Sequence, residues 1–348
     1  MIYLKLDLIS GLMFMASKKI KIGTASELRQ DPVFGDWILL APLRSRRHKF
    51  AGKAKVKLAK SRCPFDNLSK FGNLPPVLVY PAKRGWFLQI IPNKYPAVEH
   101  GECGLIIKRG IYKSRSGTGF HEIMVLKDHD KYLAQYGVLE ITKILMAYRD
   151  RYLSLAKEKC IEYISIFHNH GKEAGSTVPH LHSQILALPI IPPDVSHSID
   201  GSRRYFHEHR RCVHCQIIKQ ELREKKRVIY ENRDVIIIAP FASKSDFETR
   251  IFPKKHSAYF ENITGKELLS FAEAMKFIFS ALYKKLKDPA FNFFIHTAPI
   301  GKNHDFIHYH WHMEILPKFE TGGGVELGTG LSIIAVAPEK AAKILKAK

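Results

Sequence analysis

Two histidine rows constrain the fold of this chain more than any other feature. The first is Val178-Pro179-His180-Leu181-His182-Ser183-Gln184-Ile185-Leu186. The second is Ile307-His308-Tyr309-His310-Trp311-His312-Met313-Glu314-Ile315-Leu316-Pro317. Strict alternation reads as a β-strand, which puts His180, His182 and Gln184 on one face and turns Leu181 and Ile185 into a core. Each row runs through apolar residues to a proline, Pro189 or Pro317. Aligning on those prolines sets His308 against His180, His310 against His182 and His312 against Gln184. The flanks also recur: Phe87 to Pro96 is echoed by Val235 to Ala242, and Cys63-Pro64-Phe65-Asp66 by Cys212-Val213-His214-Cys215. Self-similarity at so long a period indicates a duplicated domain rather than a repeat array.

The 348 residues suffice for two domains, expected at 17–195 and 203–342. Hairpin chemistry at Gly35-Asp36 precedes a strand ending at Pro42. Further strands are expected at Gly119 to Val125, Tyr163 to Phe167, Asp246 to Phe252 and Phe291 to His296. Apolar spacing predicts helices over Tyr132 to Lys157 and Gly265 to Leu286, the second capped by Thr264 with Glu267 at capping-box spacing. Ile190 to Tyr205, with Pro192-Pro193, reads as the linker. The fold class is α+β, an antiparallel sheet with packed helices, twice over.

No apolar run approaches a membrane span, so no membrane partner is expected. Asp7 and the late lysines spoil a signal-peptide reading of the opening residues. Met13 or Met15 can serve as an alternative start. Five cysteines, two of them in a Cys-x-x-Cys, favour reduced metal-binding thiols over a disulfide framework, and a cytoplasmic setting. The formal charge is +22, with basic blocks at Arg44 to Arg62 and Arg203 to Arg227. Such blocks fit a nucleic-acid footprint, a phosphate funnel or a solvated face, and the last is the commonest.

His182 is the candidate nucleophile. A neutral imidazole can attack phosphorus and split one transfer into two easier ones. Gln184, on the same face, can donate its amide N–H to a phosphate oxygen. The loop Asn169 to Thr177, including Ser176, offers further donors, and Arg44 and Arg47 can pair with the phosphate. The competing reading of His182 is a satisfied strand histidine. Two metal sets are expected: Cys212, Cys215, His256 and His308 with zinc spacing, and Cys63, Asp66, His121 and His180 in the first half. Asp66 replaces a thiolate, so the first set is either a Cys-Asp-His-His zinc site or an eroded one. With four ligands each, both are assigned to structural zinc. His168, His170, His296 and His304 read as loop or core histidines.

These segments resemble the galactose-1-phosphate uridylyltransferases and their relatives, the nucleotide-sugar branch of the histidine-triad superfamily. The likeness is carried by Asp31-Pro32-Val33-Phe34-Gly35-Asp36-Trp37 with Arg44 and Arg47, Cys63-Pro64-Phe65, Ile91-Pro92-Asn93-Lys94-Tyr95-Pro96, Gly119-Phe120-His121-Glu122, the His180 to Gln184 core, Phe247-Glu248-Thr249 and Pro253 to His256. It implies two histidine-triad-like domains, a homodimer, a covalent nucleotidyl-histidine intermediate and structural zinc. His182 is then the nucleophile, Gln184 its phosphate partner, and His180 a ligand with Cys63 and His121. Asn93, Asn169, Ser176 and Thr177 face the nucleotide. Two departures stand out: Asp66 for cysteine, and Val325 to Gly330 without the tyrosine-glutamate pair of the best-known enzymes. That loop and Ser183 look as much like the plant ADP-glucose phosphorylase branch.

The leading expectation is ping-pong uridylyl transfer between UDP-glucose and galactose 1-phosphate. The alternative is adenylyl transfer from ADP-glucose to phosphate. A zinc-stabilised nucleic-acid-binding protein is the rival of a different class, but its basic blocks lack interleaved aromatics.

Overall fold

The computed structural model describes residues 25–47, 50, 52, 58–81, 85–301, 305–319 and 322–347. His304 and the side chain of Arg47 lie outside them, as do Met13 and Met15. The first half carries β1 (Glu27–Gln30), β2 (Trp37–Leu40), β3 (Leu78–Tyr80), β4 (Leu88–Pro92), β5 (Ile107–Arg109), β6 (Tyr112–Ser114) and β7 (Phe120–Leu126). Then come α1 (Val138–Leu155), β8 (Tyr163–His170), β9 (His182–Leu188) and α2 (Pro193–His209). The second half carries α3 (Val213–Glu224), β10 (Val228–Glu231), β11 (Val235–Ile238), β12 (Thr249–Pro253), α4 (Gly265–Lys285), β13 (Ala290–His296) and β14 (His312–Lys318). The chain closes with α5 (Gly324–Thr329), β15 (Ser332–Ile334) and α6 (Pro338–Lys346).

One ten-stranded sheet runs through both halves in the order β10-β11-β12-β14-β13-β8-β9-β7-β4-β3. Read from either end, the order repeats the same construction, as duplication requires. The seam is the antiparallel pair β8–β13, with Phe291 opposite His170 and Phe293 opposite His168. β15 and the β1–β2 hairpin form a separate three-stranded sheet.

Helices α1, α4 and α6 cover one face of the large sheet, and α3 packs on the other through Ile218 against Ile236, Ile238 and Phe252. In α1, Glu140 Oε2 accepts from the Gly137 N–H (2.7 Å), and Ile141, Ile144, Leu145, Tyr148, Tyr152 and Leu155 form the buried stripe. In α4, Thr264 Oγ1 accepts from the Glu267 N–H (3.3 Å) while Glu267 Oε2 accepts from the Thr264 N–H (2.8 Å), the capping box expected from sequence. The inward stripes of α1 and α4 join Ile185, Ala187, Met313 and Ile315 in one core. Period-two alternation therefore turns His182 and Gln184, and likewise His312 and Glu314, to the face opposite α1 and α4, where in the second half His214 of α3 lies 5.1 Å from His312.

Three expectations need correction. The supposed linker is largely α2, because Pro193 takes the first helical position, where its missing N–H costs nothing. The first histidine row enters its strand only at His182, so His180 sits just before β9. Cys103 and Cys160 form a disulfide, so two of the five cysteines are not free thiols. Among the described residues, no helix is long and apolar enough to cross a membrane.

Candidate active site and metal centres

Strand β9 holds His182 by its own backbone. Nδ1–H donates to the His180 carbonyl (2.8 Å), which fixes the tautomer and leaves the Nε2 lone pair free of any partner among the described residues. The ring is buried against Phe65, with centroids 5.0 Å apart. Burial pushes its pKa down, outweighing the His180 carbonyl, so the ring is neutral at neutral pH. His168 Nδ1–H donates to the His182 carbonyl from β8 (2.6 Å), and the Tyr148 hydroxyl donates to Ser183 Oγ (2.6 Å) from the helix side. The backbone of the candidate nucleophile is thus held from the adjacent strand, and its neighbour Ser183 from the helix layer.

Gln184 is oriented by a residue that sequence reading placed elsewhere. His121 Nε2–H donates to Gln184 Oε1 (2.8 Å), while His121 Nδ1 accepts the Ala97 N–H (3.0 Å). With its carbonyl committed, the Gln184 amide keeps its two N–H donors for a ligand. Asn93 Nδ2 approaches the same imidazole, and Asn93 Oδ1 accepts from the Tyr95 N–H (3.0 Å).

The loop after β8 turns on two glycines with positive φ, Gly171 (84°) and Gly175 (86°). A Cβ on Gly171 would lie 2.8 Å from Ala290 Cβ, so the position is closed on two grounds. Within the loop Ser176 Oγ donates to the Val178 carbonyl (3.0 Å), and Asn169 Oδ1 accepts from Asn292 (2.9 Å). Thr177 is exposed. Arg44 is exposed in the 3-10 turn Pro42–Arg47 and shares no hydrogen bond or ion pair with these residues.

Each half also assembles four metal-ligand types within 4.8 Å of one another. The sets are Cys63, Asp66, His129 and His180, and Cys212, Cys215, His256 and His310. His121 and His308 are therefore not members. His129 lies three residues beyond the end of β7, as His256 lies three beyond the end of β12, and that register selects it. His310 replaces His308 because the halves superpose on His180/His182 and His310/His312. His180 Nε2–H donates to the Leu126 carbonyl (2.6 Å) and His310 Nε2–H to that of Pro253 (3.0 Å), equivalent strand ends. Pro189 follows β9 whereas Pro317 lies inside β14, so aligning the prolines slips the register by two residues.

Both sets suit a cation. His129 commits its Nε2–H to the Leu58 carbonyl (2.7 Å), and its Nδ1 faces Asp66 Oδ2, two buried atoms that have no hydrogen-bond partner among the described residues. Cys63 Sγ lies 3.4 Å from His180 Nδ1. Burial pushes the Cys63 thiol up to about 11, so it stays protonated until a cation draws the proton off. In the second set, Cys215 Sγ lies 3.3 Å from His256 Nδ1 and 3.5 Å from His310 Nδ1. Each anchored ring nitrogen orients its imidazole, the kind of support that metal-binding histidines have.

The second histidine row is closed off. His312 stacks between Phe252 (4.8 Å) and His296 (4.9 Å). Glu314, in the place of Gln184, pairs with buried Arg250 (3.3 Å), which also meets Glu248 (2.9 Å) and Asp31 (3.5 Å). Burial opposes ionisation of Glu314, but the Arg250 guanidinium overrides it and holds the carboxyl well below its usual range. His296, His312 and Glu314 lie close enough to share an ion, yet Arg250 already supplies the positive charge there.

Residues 16–192 match the family described as galactose-1-phosphate uridyl transferase, N-terminal domain, and residues 221–321 match the HIT domain. The chain belongs to the galactose-1-phosphate uridylyltransferase family. Among family relatives, ADP-glucose phosphorylase of Arabidopsis thaliana is 33% identical over 328 residues, covering 92% of each chain. Galactose-1-phosphate uridylyltransferase of Thermotoga maritima is 28% identical over 330 residues, covering 92% of this chain and 98% of that one. The solved structure of the Arabidopsis ADP-glucose phosphorylase with bound ADP-glucose superposes with a TM-score of 0.78 at 31% identity, over 93% of this chain and 99% of that one.

Proposed function

We propose that this chain moves a nucleotidyl group from a nucleotide sugar to a phosphate-bearing acceptor through His182. The observation that carries the reading is the free Nε2 lone pair of a neutral imidazole, fixed through Nδ1 to the His180 carbonyl. Nε2 attacks the α-phosphorus of the donor, forming the N–P bond as the bond to the departing sugar 1-phosphate breaks. A phosphate oxygen of the acceptor then attacks the same phosphorus and releases the histidine. The His180 carbonyl stabilises the positive charge that the ring gains in the covalent state, and the Gln184 N–H groups meet the charge building on the phosphoryl oxygens.

The base is best read as adenine. The likeness to the Arabidopsis ADP-glucose phosphorylase, 33% identical over 92% of each chain, supports adenylyl transfer from ADP-glucose to phosphate, and Ser183 and the Val325 to Gly330 segment fit that branch as well as the uridylyl one. Uridylyl transfer between UDP-glucose and galactose 1-phosphate is the second reading, supported by the Thermotoga relative. Zinc is the proposed occupant of both four-residue sets, where it would tie the Cys63 segment to His180 and α3 to His310.

Intact-mass analysis after incubation with ADP-glucose and, separately, UDP-glucose tests the reading. An adduct with the first donor, lost in His182→Ala, supports adenylyl transfer. An adduct with the second alone transfers the assignment to uridylyl transfer. An adduct that survives His182→Ala removes the nucleophile.

A further inference from the structure

Between Glu102 and Glu122 the chain has no acidic residue. Its centre is the β5–β6 hairpin, whose strands, among the described residues, pair only with each other. The hairpin stands on a braced neck. The Cys103–Cys160 disulfide ties it to the turn after α1. Arg115 donates to the Gly104 carbonyl (3.1 Å) and pairs with Glu162 (3.1 Å), and Thr118 Oγ1 donates to the Glu102 carbonyl (2.9 Å). An isolated two-stranded hairpin is marginal in water, so this bracing holds in place an arm that contributes nothing to the core.

What the arm presents is apolar and cationic together. Leu105 is 85% exposed, Ile111 88% and Tyr112 74%, with Ile106 and Ile107 more than half exposed. Lys108, Arg109 and Lys113 lie among them and make no ion pair among the described residues. Lys108 sits directly opposite Lys113 in the ladder, a like-charge pairing that costs stability unless an anion lies against it.

We propose that this hairpin is a docking surface for an anionic lipid bilayer, lying in the headgroup region with Leu105, Ile106 and Ile111 inserted. Apolar side chains beside unpaired cations match a negatively charged interface, which rewards both, and Tyr112 suits the boundary. A second copy of the chain fits poorly, because two such hairpins would gather six cations without an acid. Nucleic acid fits poorly too, since Tyr112 is the hairpin's single aromatic ring. Absence of a spanning segment does not bear on such peripheral contact.

Co-sedimentation with vesicles of phosphatidylcholine, with and without phosphatidylglycerol, tests the proposal on the full chain with its disulfide intact. Binding is expected only to the anionic vesicles. It should weaken at least about tenfold in Ile106→Ser/Ile111→Ser and again in Lys108→Gln/Arg109→Gln/Lys113→Gln. Both variants should keep the melting temperature and the His182 adduct, because none of these residues touches the core or the site. The charge variant alters only exposed side chains, so it remains informative if the apolar variant misfolds. Equal binding to both vesicles, binding to neither, or anionic binding undiminished in the charge variant would overturn the proposal. So would tighter retention on RNA, or a dimer in sedimentation velocity that the apolar variant converts to monomer.

Discussion

His121 donates through Nε2 to the side-chain carbonyl of Gln184 at 2.8 Å, so the amide proposed to meet the phosphate is aimed by a histidine from the neighbouring strand. Removing either member should slow transfer without disturbing the metal sets. Gln184→Ala should lower kcat roughly a hundredfold, the cost of one transition-state donor. His121→Phe should lower it about tenfold, because Gln184 remains but is free to flip. Metal content, measured alongside, should match wild type in both. Loss of one equivalent in His121→Phe would restore that residue to the first ligand set.

The two histidines that exchanged places in the second half give a sharp contrast. His310→Ala should remove one metal equivalent and lower the melting temperature, whereas His308→Ala should keep the metal. Between the sets, Cys212→Ser should cost the tighter ion, since two thiolates and two imidazoles suit zinc better than a set in which Asp66 supplies a harder oxygen. Chelator titration followed by metal analysis checks both statements.

His168 reaches His182 through the backbone. Replacing it with leucine removes the donor to the His182 carbonyl and should slow adduct formation about threefold to tenfold with KM unchanged. Asparagine, whose amide nitrogen falls near the position of Nδ1, should recover most of the rate. Equal rates in the two variants would show that packing against Phe293, not the hydrogen bond, is what matters.

Glu261 makes stability pH-dependent. Burial raises its pKa from 4.5 to about 7, and Oε2 is buried without a hydrogen-bond partner. Between those values the folded protein holds a proton that the unfolded chain has released. The folded state therefore loses stability as pH climbs from 4.5 to 7, and the loss is complete above 7. Glu261→Gln should be more stable than wild type at pH 8 by roughly 1–3 kcal/mol, and nearly equal to it at pH 4.5. Urea midpoints at the two pH values check the sign.

Local rules carried much of this architecture. The alternation through His182 and Gln184, the α4 capping box at Thr264 and the stripe of α1 each depend on residues within a few positions of one another, and each could be read directly. Pairings between distant residues could not. His129 enters its set because β7 ends at Leu126, a boundary that propensity places only within a few residues. His310 was hidden by a proline that belongs inside one strand and outside its twin. The Cys103–Cys160 bond joins residues 57 positions apart, and cysteine spacing alone says nothing of connectivity. Counting from the two His-x-His motifs, with Gln184 and Glu314 two residues further on, was the available signal for the correct register.

The seam between β8 and β13 makes the halves interdependent. β8 supports the His182 strand along one edge and pairs with β13 along the other. Cut at the middle of the chain, the first half would keep His182 but expose an open row of backbone donors and acceptors beside Asn169, the kind of edge on which chains aggregate. The second half, with Arg250 paired to Glu314 on its own histidine strand, thus serves its twin as an edge guard, occupying through β13 the row of backbone groups that β8 would otherwise expose.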